Sequence, residues 1–205
     1  MMQRARGFTL VELMITLLVA AVLLTLAAPS LYDFILLQRL KSINAQLVTD
    51  MQFARSEALS RTERRSGDPS KTVDVQVVFS PAASGATMSC YTIYVDSGAS
   101  PKNMCDCTKA TPAQRCPATS TTREIRTVQI STSTGVRLAV PLNPIPEFSF
   151  LATTGAIRAW PTDVPSTFTV ESSLDANRTL RTTIGLSGRP SVCSPGGGVS
   201  GFVPC

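Results

Sequence analysis

From Phe8 to Ala28 the chain is apolar on all sides, with Glu12 as its one charged residue, and beyond Pro29 the apolar positions retreat to one side. As a helix the first stretch would run about 31 Å at 1.5 Å per residue, enough to cross the hydrocarbon of a bilayer. Between Ser30 and Arg61, Leu40, Ile43, Leu47, Met51, Ala54 and Ala58 recur at steps of three and four, while Gln38, Lys41, Asn44, Thr49, Asp50 and Glu57 lie mostly off that stripe. Such spacing marks one face of a helix. It predicts a transmembrane or buried helix over 8–28 and an amphipathic helix over 29–66. The latter should end between Arg64 and Gly67, where basic residues, a glycine and a proline follow one another. Pro29 has no N–H to donate within the helix, so a bend is expected there.

Beyond Gly67 the period shortens to two. Residues 72–79, 90–95, 124–130, 147–160, 167–172 and 178–186 are rich in β-branched and aromatic side chains and are separated by Gly, Pro, Ser and Asn. About five to seven mainly antiparallel strands are predicted, and a helix followed by strands gives an α+β fold. The helix stripe and one sheet face would bury each other. The domain would occupy 67–205, with a cysteine-rich loop at 97–122 and a glycine-rich tail at 187–205. There are no internal repeats.

Composition narrows the chemistry. Histidine is absent, which removes the commonest general base and metal ligand. The formal net charge of +5 is a mild excess, and Arg4 and Arg6 stand ahead of the apolar run. The carboxylates Asp74, Asp96, Glu147 and Glu171 are scattered, and neither a Ser–His nor a Cys–His arrangement is available. An enzyme, a cofactor and a small-molecule substrate are therefore not expected. Cys90, Cys105, Cys107, Cys116, Cys193 and Cys205 all lie after the apolar run, which suits disulfides in an oxidising compartment. Cys105 and Cys107 are too close to bond each other comfortably, leaving Cys90 and Cys116 as candidate partners, and Cys193 with Cys205 would tie down the tail. Connectivity stays open. A zinc cluster is disfavoured because histidine and a second Cys-X-X-Cys pair are missing, so no metal site is expected.

The apolar run has two bland readings, a cleaved signal peptide and a plain anchor. The small residues of Thr25-Leu26-Ala27 suit a signal peptidase, but Glu12 opens the apolar stretch and the helix pattern continues past Ala27. The sequence Gly7-Phe8-Thr9-Leu10-Val11-Glu12 resembles the processing site of type IV prepilins. That resemblance implies a leader at 1–7, cleavage after Gly7 by a prepilin peptidase, methylation of Phe8, and a glutamate fifth in the mature chain. Family helices commonly bend at the position of Pro29. The implied partners are the inner membrane and then other major and minor pilins in a filament, with the C-terminal domain in the periplasm before assembly. Glu12 and Pro29 become assembly residues: Glu12 would pair with the new amine at Phe8 of a neighbouring subunit, offsetting the cost of burying a lone carboxylate only in the correct register.

Two further stretches resemble the FimT/FimU minor pilins and the GspH pseudopilins: Phe53-Ala54-Arg55-Ser56-Glu57-Ala58 within "DMQFARSEAL", and "TTIGLSGRPSVC" at 182–193. The resemblance implies a type IV pilin-like fold and a minor pilin at or near the pilus tip, or a pseudopilin of type II secretion. Some FimT-like pilins bind DNA through a Gly-Arg-X-Arg motif. Here Gly188-Arg189-Pro190-Ser191 has serine in place of the second arginine, leaving Arg178, Arg181 and Arg189 as candidate DNA contacts.

Overall fold

The computed structural model describes residues 9–61, 64–65, 68–81, 86–97, 105–116, 122–141, 146–159 and 167–205. One helix, α1, runs from Leu10 to Ser60. Its two stretches, Leu10–Thr25 and Ser30–Ser60, meet at 43°. Pro29 stands at that break, and a bend this sharp in a helix usually marks a proline.

Leu40, Leu47, Met51, Ala54 and Ala58 are fully buried, and Ile43 packs against them at the margin. The helix ends earlier than the 29–66 span expected of it. Arg61 is in extended backbone, its N–H bonds to Ala58 O, and its guanidinium turns back to Glu57 Oε1 at 2.6 Å. Arg61 therefore serves the exit from the helix, and Arg64–Arg65 form a short strand, β1, against β2 (Asp68–Thr72).

The remaining elements are β3 (Val75–Ser80), β4 (Met88–Asp96), the short helix α2 (Pro112–Arg115), β5 (Thr122–Ser131), β6 (Arg137–Ala139), β7 (Glu147–Phe150), β8 (Ile157–Ala159), β9 (Phe168–Ser173), β10 (Thr179–Ile184) and β11 (Pro190–Cys193). They form two larger antiparallel sheets, in the orders β5-β4-β3-β7-β8 and β11-β10-β9-β6. The segment expected as a strand at 72–79 is split: Thr72 closes β2, and Asp74 accepts the Ala152 N–H at 3.0 Å beside the β7–β8 turn. Strand β11 lies within the 187–205 tail.

Helix α1 touches strands of both larger sheets, β3 and β7 of one and β9, β10 and β11 of the other. The sheets meet each other through aromatic rings: Phe148 on β7 and Phe168 on β9 have centroids 4.6 Å apart, and Phe79 on β3 stacks on Phe168 at 5.6 Å. Ring pairs of this kind add about 0.5–1.5 kcal/mol to the burial of their area.

Two buried polar side chains fix how α1 sits in this cleft. Asn44 Oδ1 accepts from Ser172 Oγ at 3.3 Å and from Thr182 Oγ1 at 2.9 Å, which ties α1 to β9 and β10. Asp50 Oδ2 accepts from the Tyr91 hydroxyl at 2.7 Å. Its Oδ1 faces Arg126 Nη1 at 2.8 Å in an ion pair whose N–H is not aligned for a hydrogen bond. This second set ties α1 to β4 and β5. Rotating or sliding the helix would strand both carbonyl-type acceptors away from water, at about 1–3 kcal/mol for each buried polar group left unpaired.

The far face of the five-stranded sheet is covered too. Val78 and Tyr94 point away from α1 and pack with Cys105 and Cys116, so strand β3 is buried on both sides. The covering loop is stapled by Cys90–Cys107 and Cys105–Cys116, and the tail is closed by Cys193–Cys205. In the tail Val199 is fully buried and the Ser194 N–H bonds Val203 O at 2.8 Å. Gly198 lies so close to the Asn177 carbonyl that a Cβ would collide with it.

Burial, and then the bonded carboxylates Asp50 and Glu147, raise the phenol pKa values of Tyr91 and Tyr94 above the usual 10.0. The folded state thus favours the neutral phenols. That contribution is complete below about pH 10 and is lost as the pH climbs beyond it, once the unfolded chain begins to ionise. Chemical denaturation followed from pH 6 to 11 should give a flat stability up to about pH 10 and a fall above it, part of which Tyr91→Phe removes. Asp50→Ala should cost about 2 kcal/mol at neutral pH in the same measurement, because it leaves the buried Tyr91 hydroxyl without its acceptor and removes the ion pair to Arg126.

Candidate assembly site

At the start of α1 the Thr9 hydroxyl accepts the Glu12 N–H at 3.3 Å, and the Leu13 N–H bonds Thr9 O at 3.1 Å. Thr9 is thus the N-cap and Glu12 the third helical residue, the Thr-X-X-Glu spacing of a capping box. A carboxylate in the first turn also faces the positive end of the helix dipole. Glu12 thus sits inside a local cap at the helix start, before any partner is considered. The spacing was present in the sequence as Thr9-Leu10-Val11-Glu12, masked by the apolar residues between.

The apolar side chains of this first helix stretch are left uncovered by the rest of the described chain. Leu10 is 73% exposed, Leu24 68% and Phe34 59%, and the large apolar side chains described over 10–24 and 31–35 are open in the same way. Each large apolar side chain left in water forgoes about 1.5–3 kcal/mol, so a row of them calls for lipid or other helices. Among the described residues no single helix is long and apolar enough to cross a membrane, although Leu10–Thr25 and Ser30–Ser60 meet that test as a bent pair.

Where the projecting part meets the domain, Arg178 joins the two. Its guanidinium lies 3.3 Å from Asp33 on α1 and 2.7 Å from Asp175 in the β9–β10 connection. The side-chain bond from Arg178, followed by the backbone N–H of Arg178, holds the Asp175 carboxyl below its ordinary value. Arg181 is paired with Glu171 at 2.8 Å, and Arg189 is exposed, with no ion pair among the described residues. Because Ile184 lies opposite Pro190, Arg178 and Arg189 are at opposite ends of the β10–β11 pair, about 23 Å apart at 3.3 Å per residue. The three arginines do not form one patch.

Of the other singled-out residues, Pro29 lies at the bend of α1, and all six cysteines are paired in disulfides. Gly7, Phe8 and the leader fall outside the described residues. The clasps at Asp50 and Asn44 could not be read from the sequence, since their partners lie far along the chain.

A family model described as the prokaryotic N-terminal methylation motif matches residues 2–28. No curated protein matches the chain, and no solved structure does. The motif marks the chain as type IV pilin-like, a structural subunit rather than an enzyme, and the helix followed by antiparallel sheets agrees with the type IV pilin fold. Such a motif implies processing by a prepilin peptidase, anchoring in a membrane and assembly with other pilins.

The cap can be tested alone. Thr9→Ala should raise the amide exchange rate at Glu12 about fivefold in detergent micelles, matching about 1 kcal/mol for a lost N-cap, while Thr9→Ser should leave it nearly unchanged.

Proposed function

We propose that this chain is a minor pilin of the FimT/FimU kind. It is cut after Gly7, methylated at Phe8, held in the inner membrane by its first helix stretch with the domain in the periplasm, and then built into a type IV pilus at or near its tip. The observation that carries the reading is Glu12, a carboxylate in the first turn of an apolar helix stretch that the chain leaves uncovered. Cleavage would create an amine at Phe8, close to the level of Glu12. In a filament core a neighbouring subunit's Glu12 and that amine neutralise each other only when the two helices are in register.

Contact between the two stretches that resemble FimT, FimU and GspH supports the narrower assignment. Arg55, in the middle of Phe53–Ala58, donates Nε–H to Ser187 O at 3.0 Å, directly before Gly188-Arg189. The helix motif and the strand-turn motif are therefore one packing unit. A pseudopilin of type II secretion shares these features, and a deletion strain separates the two: loss of pili with secretion intact fits the minor pilin, and the reverse fits the pseudopilin. A role in DNA uptake has less behind it, because Arg178 and Arg181 are engaged with carboxylates and stand apart from Arg189.

The test of the assembly reading is incorporation. Glu12→Ala and Glu12→Gln should be processed and remain in the membrane fraction, yet fall at least about tenfold in sheared pili, the loss expected for an unpaired buried charge partner of more than about 1.4 kcal/mol. Incorporation at the wild-type level would refute the pairing.

A further inference from the structure

A pocket of about 300 Å³ opens between the C-terminal part of α1 and the β10–β11 turn, lined by Gln52, Arg55, Gly188, Arg189 and Pro190. Its floor is built around one guanidinium. Arg55 Nε–H is shared between Gly155 O at 3.2 Å and Ser187 O at 3.0 Å, which fixes the plane of the group. Both flanking glycines make that possible. Gly155 and Gly188 have φ of +66° and +75°, a Cβ at Gly155 would stand 3.1 Å from Arg55 Nε, and one at Gly188 would strike the Gly155 carbonyl.

With Nε committed, the terminal nitrogens of Arg55 have no partner among the described residues, and neither has Arg189. No carboxylate among the described residues lines the pocket. Two guanidiniums on one pocket wall repel each other unless an anion lies between them, and a fixed planar guanidinium with two free terminal nitrogens matches a carboxylate in two-point contact. We infer that this pocket is a docking site for an acidic side chain of a neighbouring pilin subunit.

Three observations choose that occupant over other anions. A lipid phosphate is out of reach, because about 38 Å of helix at 1.5 Å per residue separates Ser30, just past the bend, from Arg55. A nucleic acid gains by neutralising many phosphates along a track. Here the next arginines, Arg181 and Arg178, are paired with Glu171, Asp175 and Asp33, whose carboxylates would oppose a polyanion. Finally, the pocket has an apolar margin. Leu59, whose Cδ1 lies at Gly155 beside Arg55, is 45% exposed, and Leu186, next to Ser187, is 54% exposed. Arginine is enriched at protein interfaces, and the two exposed leucines add apolar area that a neighbouring subunit would cover.

The test uses the full chain in detergent micelles and follows the Arg55 Nε–Hε resonance. The probes are the peptide acetyl-Ala-Leu-Glu-Leu-Ala-amide, the same peptide with Gln for Glu, a short single-stranded oligonucleotide, and sodium phosphate. The Glu peptide should shift the resonance to saturation and bind about tenfold more tightly than the Gln peptide or phosphate, as expected for a charge-assisted two-point contact. Arg189→Gln, at an exposed position, should weaken the Glu peptide about fivefold without changing the melting temperature. Equal response to the Glu and Gln peptides, tighter binding of the oligonucleotide, phosphate as good as the Glu peptide, or no shift with any probe would each overturn the assignment. In assembled filaments, a photo-crosslinker at Gln52 should join a second pilin, and Arg189→Glu should abolish the adduct; an adduct that survives Arg189→Glu would also overturn it. The peptide measurement does not depend on whether the filament is a pilus or a secretion pseudopilus, so its failure is separate from a failure of the minor-pilin reading.

Discussion

A single helix supplies both the face on which the domain closes and an apolar segment that the domain leaves bare. Because Leu10–Thr25 leaves Ser30–Ser60 at 43°, the direction in which the bare segment leaves the domain depends on that bend and on how the other stretch is held. That half lies between two sheets, and each sheet contributes one buried polar tie. Asn44 is bonded from β9 and β10, and Asp50 is bonded from β4 and faced by Arg126 of β5. Apolar burial at Leu40, Leu47, Met51, Ala54 and Ala58 provides the attraction, but it is tolerant of small rotations. The two polar ties are not, and with the Arg178 bridge to Asp33 they set the angle at which the helix projects.

Such an arrangement suits a subunit that assembles through the helix and presents a domain. The bare segment cannot stay in water, so lipid before assembly and other helices afterwards are the environments open to it. The domain must remain folded in both. It does so with a small core, and disulfides supplement that core in three places. Cys90–Cys107 and Cys105–Cys116 hold the loop that seals the outer face of β3 and β4, and Cys193–Cys205 closes the tail over β11. A disulfide closing a loop of roughly a dozen residues contributes about 3 kcal/mol, comparable with the polar ties.

Local pattern carried much of this in the sequence. The stripe from Leu40 to Ala58 was legible because helix faces recur at three and four, and six strand segments were legible from their β-branched and aromatic content. The end of α1 was not, since Arg61, Arg64 and Arg65 read equally well as a basic last turn and as the cap and the short strand they belong to. Nor was the division into two larger sheets, because β6 and β11 are short and are defined by their partners on β9 and β10. Alternation misjudged β3, where Val78 faces a disulfide-stapled loop instead of solvent. At the candidate site the charge types were visible but their pairing was not: Arg178, Arg181 and Arg189 look alike in the sequence, yet two are bound to carboxylates and the third opens onto the Arg55 pocket.

The proposed pairing of Glu12 with a neighbour's amine requires that the leader be gone and that Phe8 be the first residue of the mature chain. Intact-mass and N-terminal peptide mass spectrometry of the protein recovered from membranes and from sheared filaments measures this directly. The account predicts a chain starting at Phe8 and carrying one added methyl group on its α-amine. A chain starting at Ala28, with the apolar segment removed, would contradict it.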